Sequence, residues 1–329
     1  MAKYILKRVL YMIPTLFVIS LISFTIIQLP PGDFLSSYVA QLRQQGENID
    51  AEAIAALEQQ YGLNQPIYVQ YGKWMGGILT RGDFGLSFEW RRPVSDLIWE
   101  RLGLTFAIAI ATMLLTFIIS IPTAVYVATH QYSWLDYLMS FISFVGLGTP
   151  PFLVALIYLW LMLSLFGVNA AGLFSERFLD APWSLARVMD MLGRIWVPIF
   201  ILAIDNTAGI IRTVRANLLD ELNKPYVETA RAKGLKERIL IWKYPVRLAL
   251  NPFFSTVGWT LVAVISSETL VAVVMNIQTS GPLLLRALTS QDMYLAGALV
   301  MLLSVMTVLG TLFSDILLAW ADPRIRLEG

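Results

Sequence analysis

The residues able to do bond-making chemistry are few and scattered. The chain has no cysteine and one histidine, His130, so neither a thiolate nor a multi-histidine metal site can be assembled. His130 sits beside Gln131 at the end of an apolar run, where a solvated end residue is expected. No G-x-x-x-x-G-K-[ST] phosphate cradle occurs, so nucleotide chemistry would have to reside on another polypeptide. Chemistry inside a membrane would need a nucleophile with its base, a carboxylate pair or a metal, and none is spaced for it. Two other groups stand out. Asp205-Asn206-Thr207 and Glu268 interrupt otherwise apolar runs, where a charge is costly and defaults to a functional role. The loop 212–247 reads RTVRANLLDELNKPYVETARAKGLKERILIWKYPVR, with basic residues far outnumbering Asp220, Glu221, Glu228 and Glu237. Within it, Ala230 and Gly234 stand at i, i+4 on a helix-forming stretch that also carries Glu228, Arg231 and Lys233. Small residues at that spacing admit close approach by another backbone. The apolar run Ile239–Trp242 follows. This is the composition of a docking segment: a short helix–turn–helix with one charged and one small face.

The elements that must carry these residues are membrane spans. Of 329 residues, 57% are apolar and only 14% charged. Ordinary soluble domains carry about 25% charged residues, and the shortfall excludes a water-facing surface of normal kind. Disorder, collagen and coiled coil are excluded on the same grounds. A net charge of +1 gives no pull towards nucleic acid. Apolar runs carrying at most one charge and long enough to cross a bilayer, near the roughly 20 residues required, are 9–29, 104–129, 137–166, 195–211, 252–275 and 295–314. The first ends in Gln28-Leu29-Pro30-Pro31-Gly32, which is no signal-peptide cleavage site, so it is expected to stay as an anchor. The third is broken by Gly146-Leu147-Gly148-Thr149-Pro150-Pro151 and could be one kinked span or two.

Charge decides the number. With six spans and an inner N-terminus, Lys3, Lys7, Arg8, the basic loop, Arg324 and Arg326 face the cytoplasm. Only Arg177, Arg187, Arg194 and Arg286 fall in short outer loops. Seven spans would put most of these cations outside, against the positive-inside rule. The expectation is six spans with both termini cytoplasmic. The domains expected are 1–29 (cytoplasmic end and first span), 30–103 (an extracytoplasmic segment with turns at Pro30–Asp33 and Arg81-Gly82-Asp83) and 104–329 (a five-helix core holding the loop 212–247). Leu185, Val188, Met189 and Leu192 repeat at helical spacing and predict a short amphipathic helix at the outer interface.

YVETARAKGLKE resembles the EAA loop of ABC-importer permeases, and the flanks resemble the dipeptide/oligopeptide branch of that family. The similarity covers nearly the whole chain: LPPGDF, YGLNQPIYVQYGKW, GDFGLSF and RRPVSDLIWERL early, IRTVRANLLD before the loop, Glu268-Thr269, Gln291-Asp292-Met293-Tyr294, and the terminal ADPRIR. Tyr244-Pro245, Leu248 and Asn276–Gly281 depart from the branch pattern and bear on the substrate subgroup.

The resemblance implies an all-α polytopic protein with the type I ABC importer permease (MetI-like) fold, located in the inner (plasma) membrane. It would form half of a pathway for peptides, with oligosaccharides as the alternative cargo and an ATP-independent carrier or channel as a distant one. Implied partners are a second homologous permease, two ATP-binding subunits that carry ATP and Mg, and an extracytoplasmic solute-binding protein. No cofactor or metal is expected on this chain. Glu228, Ala230, Arg231, Lys233 and Gly234 would form the ATPase-coupling segment. Asp205, Asn206 and Glu268 are candidates for the pathway lining, with a structural pairing as the competing role for Glu268. The ten Trp are expected mostly as interface anchors or packing.

Overall fold

The computed structural model describes residues 2–28, 65–87, 89–179, 181–182 and 184–321. The expected turn at Pro30–Asp33 and the terminal Pro323–Arg326 lie outside the described residues. Among those described the protein is helical, with only an isolated bridge between Leu86 and Pro93. The helices are α1 (Ala2–Gln28), α2 (Ile67–Arg81), α3 (Val94–Thr129), α4 (Trp134–Gly148), α5 (Pro151–Phe166), α6 (Leu185–Leu222), α7 (Pro225–Ala232), α8 (Glu237–Lys243), α9 (Pro245–Ala249), α10 (Asn251–Val274), α11 (Ser280–Thr289) and α12 (Met293–Ala321).

Three stretches, Ile5–Gln28, Val94–Thr129 and Met293–Ala319, are long and apolar enough to cross a membrane. A fourth candidate is α4 with α5, bent by 98° at the break. Thr149 is extended there, and Pro150 and Pro151 deny the backbone donors that would continue α4. Pro151 instead opens α5 at a position where a missing N–H costs nothing.

Two expected boundaries move. The helix carrying the second apolar run begins at Val94, not Leu104, with Asp96, Glu100 and Arg101 in helical turns ahead of that run. The predicted amphipathic helix is not separate: residues 185–192 are the first turns of the 38-residue α6, which runs through the fourth apolar segment to Leu222. Ser184 caps this helix by accepting from the Arg187 amide at 3.3 Å. Leu185, Met189 and Leu192 remain exposed on its first turns, as an interfacial stretch requires.

The chain divides into two compact units. One comprises 9–103 and 283–308. Phe24 packs edge-on against Tyr71 at 5.5 Å and beside Trp74 at 5.6 Å, and Ser20 shares a hydrogen bond with the Tyr71 hydroxyl at 2.7 Å. Asp292, fully buried, accepts from the Ser87 hydroxyl at 2.5 Å and from the Glu89 and Leu295 amides, each at 3.3 Å. It thereby caps α12 and holds Ser87 and the Glu89 backbone to it. Arg286 pairs with Glu89 at 2.9 Å and stacks over Trp90.

The other unit comprises 1–8, 104–282 and 309–329. Ile201 and Leu202 of α6 pack with Val271 and Ala272 of α10, and Ala155 of α5 joins the same core. Farther along α6, Ile211 and Val214 pack with Phe253 and Val257. α10 and α12 approach closely: a Cβ built on Gly258 would lie 2.7 Å from the Gly310 carbonyl oxygen. Ser314 donates to the Phe254 carbonyl at 2.7 Å beside that crossing.

Candidate functional site

The basic loop is more helical than its charge suggests. Arg212–Leu222 belongs to α6, so the segment that departs from the bundle starts only at Asn223. Glu221 holds this exit by accepting from Lys224 Nζ at 2.6 Å and from the Tyr226 hydroxyl at 2.8 Å. Burial and then that bond push the Tyr226 phenol above its ordinary pKa. Pro225 opens α7 as its first residue, where proline is favoured.

α7 ends in a Schellman motif. The Gly234 amide bonds the Arg231 carbonyl at 2.9 Å and the Leu235 amide bonds the Ala230 carbonyl at 3.4 Å. Gly234 takes φ = +75°, a conformation that costs other L-residues about 1 kcal/mol or more. This corrects the sequence expectation: Gly234 is not on the helical face of Ala230 but in the turn that reverses the chain. Ala230 is itself buried at 9% exposure, packed with Val227 and Leu240 and flanked by Leu235. The small face therefore lets α8 close onto α7 within the chain. The apolar run 239–242 is divided between core and surface: Leu240 is fully buried, whereas Ile239 and Trp242 are about half exposed.

Above this apolar base, Arg231 grips Glu237 with two nitrogens, Nη2 at 2.5 Å and Nε at 3.1 Å from Oε1. The guanidinium holds the Glu237 carboxyl below its ordinary pKa, and Glu237 in turn raises that of Arg231. Glu228, Lys233 and Gly234 are exposed, and the space above Gly234 is open. The result is a two-helix clip. Its small core connects to the bundle through Ile241, which packs both on the Val227–Leu240 core and on the cluster of Val125, Leu218 and Val246 at the ends of α3, α6 and α9. A groove of about 750 Å³ runs beside the clip, lined among others by Tyr126, His130, Leu219, Arg238 and Trp242. His130 stacks on Tyr126 at 4.3 Å, the end-of-helix role its sequence position predicts.

Sequence reasoning missed a second feature of the same unit. Asp136, 4% exposed, takes a bidentate pair from Arg215 at 2.9 and 2.8 Å and accepts from the Tyr132 amide at 3.1 Å. It ties the start of α4 to α6 directly above the clip's stem. Ser133-Trp134-Leu135-Asp136 has the spacing of a capping box, and Ser133 does cap α4, accepting from the Asp136 amide at 3.2 Å. That local signal could have located the helix start but not its distant partner.

The bundle residues fare differently from one another. Asp205 is half-buried and makes no hydrogen bond or ion pair among the described residues. Asn206 Nδ2 is committed to the Leu202 carbonyl at 2.9 Å, and the Thr207 hydroxyl is buried without a partner. Glu268 is 1% exposed and neither carboxyl oxygen is hydrogen-bonded. Its polar neighbour is the buried Thr279, on the turn that folds back against α3 through the Thr105–Ser280 hydrogen bond of 2.9 Å. Glu268 is thus enclosed and does not line an open path here. Asp315 pairs with Arg8 at 3.0 Å. No cluster of metal-ligating side chains occurs among the described residues.

Comparison with known proteins agrees with this arrangement from both ends of the chain. Residues 120–327 match the family described as binding-protein-dependent transport system inner membrane component, and residues 1–109 match the N-terminal region of such membrane components. The oligopeptide transport system permease protein AppB of Bacillus subtilis is 35% identical, covering 99% of each chain. The dipeptide transport system permease protein DppB of Alkalihalophilus pseudofirmus is 30% identical over 99% of this chain and 100% of its own. The glutathione transport system permease protein GsiC of Escherichia coli K12 is 30% identical over the full length of both. With all its long apolar helices, its exposed clip and matches spanning both regions, the chain belongs to the binding-protein-dependent transport system inner membrane component family, and is a multi-pass membrane permease and not an enzyme.

Proposed function

We propose that this permease forms half of the translocation pathway of an ATP-driven ABC importer for peptides, with the α7–α8 clip as the contact through which partner ATPases move it. A second homologous permease completes the pathway. Two ATP-binding subunits carry ATP and Mg, and an extracytoplasmic solute-binding protein delivers cargo. The clip carries this reading: it is exposed, polar at its tip, and fixed to α3, α6 and α9 through Ile241, so a push on it reaches the bundle. Glu228, Arg231 and Lys233 supply its rim charges. Gly234 leaves bare backbone at the point of closest approach, and Ala230 closes the clip's own core. The peptide reading is supported by the names of the relatives, which denote oligopeptide, dipeptide and glutathione systems.

In the membrane the proposed arrangement is six spans in the type I fold, with both termini and the segment 212–247 on the cytoplasmic side and 30–103 outside. The helical pair α4–α5 counts as one broken span, and the middle of α6 and α10 supply two more. Asp205 and Asn206 line the path, while Glu268, enclosed within α10, has a structural role inside the bundle. The chain lacks cysteine, so single cysteines placed at Lys233 and Arg177 report topology without background. Labelling of Lys233→Cys from the cytoplasm only, and of Arg177→Cys from outside only, is expected. Co-purification of ATPase subunits and ATP-dependent peptide accumulation in proteoliposomes test the transport reading. Uphill uptake by the purified chain alone would overturn it.

A further inference from the structure

The carboxylate of Asp205 has no hydrogen-bond partner and no counter-charge among the described residues. The apolar stretches 104–129, 134–166, 251–274 and 293–321 contain no Lys or Arg. On α6 the nearest cations are Arg212, seven residues on and about 10 Å along the axis, and Arg194, eleven residues back and about 16 Å away. Arg212 lies over the Phe144 ring at 5.7 Å from its centroid, and Arg194 stands on the far side of Pro198 along the helix. Arg215, a turn further, is consumed by Asp136. Asp205 is also not sealed in. It keeps part of its surface open, whereas Glu268, the other carboxylate of the bundle, is enclosed. Charged groups at membrane depth face a water-filled cavity or a partner, not lipid. A carboxylate that is open and unpaired among the described residues is placed to take a cation from outside the chain.

Resting on the peptide-importer reading, we propose that Asp205 is the specificity-determining carboxylate of the pathway: it receives the cationic group of a peptide in passage, an ammonium at the N-terminus or a basic side chain. Capture from solution belongs to the binding protein, so the effect of Asp205 falls on the maximal rate of uptake and leaves the half-saturating concentration unchanged. Its neighbour Asn206 is tied to its own helix and contributes no charge.

The test uses the complete transporter in proteoliposomes, with saturating binding protein and three peptides of equal length carrying Ala, Lys or Glu at one position. Asp205→Asn keeps the shape and removes the charge; Asp205→Glu keeps the charge. A side-chain cation as ligand predicts that Asp205→Asn slows the Lys peptide by roughly tenfold, the loss given by one charge-assisted hydrogen bond, and leaves the other two unchanged. An N-terminal ammonium as ligand predicts equal slowing of all three, restored by Asp205→Glu. Unchanged uptake of all three by Asp205→Asn overturns the proposal. Equal slowing that Asp205→Glu fails to restore also overturns it, as does loss of co-purification with the companion permease, the mark of an interchain ion pair. Absence of ATP-dependent uptake of any peptide by the unsubstituted transporter would instead strike at the importer reading beneath it.

Discussion

The clip at 223–243 and the polar residues of the bundle are opposite solutions to placing charge. In the clip Arg231 and Glu237 pair with each other at the surface, and Lys224 and Glu221 do so at its stem. Water would have solvated every one of these groups, so the pairs set shape more than stability; exposed pairs contribute below about 1 kcal/mol. In the bundle Asp205 and Glu268 find no cation at all among the described residues, in surroundings where an unpaired carboxylate is costly. The cheap charges are thus the paired ones and the costly charges the bare ones. The comparison teaches that pairing alone does not mark function. A buried or half-buried group left unpaired is the stronger sign.

The sharpest way to break this comparison is Gly234. Its left-handed turn and the open space above it give it two separable jobs, cap and contact. Gly234→Val is expected to abolish ATP-coupled uptake while the complex still assembles in the membrane. Gly234→Asn, which accepts the left-handed conformation, should preserve the turn yet still cut uptake by more than about tenfold, the loss of one interface hot spot. Full uptake by Gly234→Asn would reduce the glycine to a cap. Next in size is the Asp136–Arg215 latch. Removing either partner strands a buried or partly buried charge, and Asp136→Ala is expected to cost roughly 3 kcal/mol, read as a lowered Tm in detergent. The double substitution Asp136→Leu with Arg215→Met should recover much of that loss. Gly258→Ala places a methyl against the Gly310 carbonyl and the Thr311 backbone, for an expected cost of about 2 kcal/mol by the same measurement.

The smallest effect concerns pH. The folded pKa of Glu237 is depressed by Arg231, so its pairing is fully present above the unfolded value, near 4.3, and is lost as pH falls through the lower folded value. Between pH 6 and 8 the clip should therefore be insensitive. Arg231→Gln should shift Tm by no more than about a degree or two, since the pair is exposed.

What could be read in the sequence followed from how local each signal is. Pro150-Pro151 announced the break because proline acts on its immediate neighbours, and the bend of 98° stands there. The helix–turn–helix of the clip was legible for the same reason, a glycine after a helical stretch followed by an apolar run. Its inner face was misread, since i, i+4 spacing says that two residues align only if the helix reaches both, and α7 stops at Ala232. The continuity of α6 was hidden because Arg194 and Arg212 end its apolar run without breaking its backbone. Arg215 reads in sequence as one more surface cation of a basic loop. Only the packing of α4 on α6 reveals that Asp136, nearly eighty positions away, is where its charge goes.

α6 has one more implication. At 1.5 Å per residue its 38 residues extend about 57 Å, while a bilayer's hydrocarbon core is about 30 Å thick. In the membrane arrangement proposed above, roughly half of this helix would project past the oily layer, and a ten-degree rotation of the helix as one body about its midpoint would carry the two tips some 5 Å in opposite directions. A nudge at the foot is in this way reported at the head without any loop having to relay it, and stiffness, not suppleness, becomes the property on which cross-membrane communication depends.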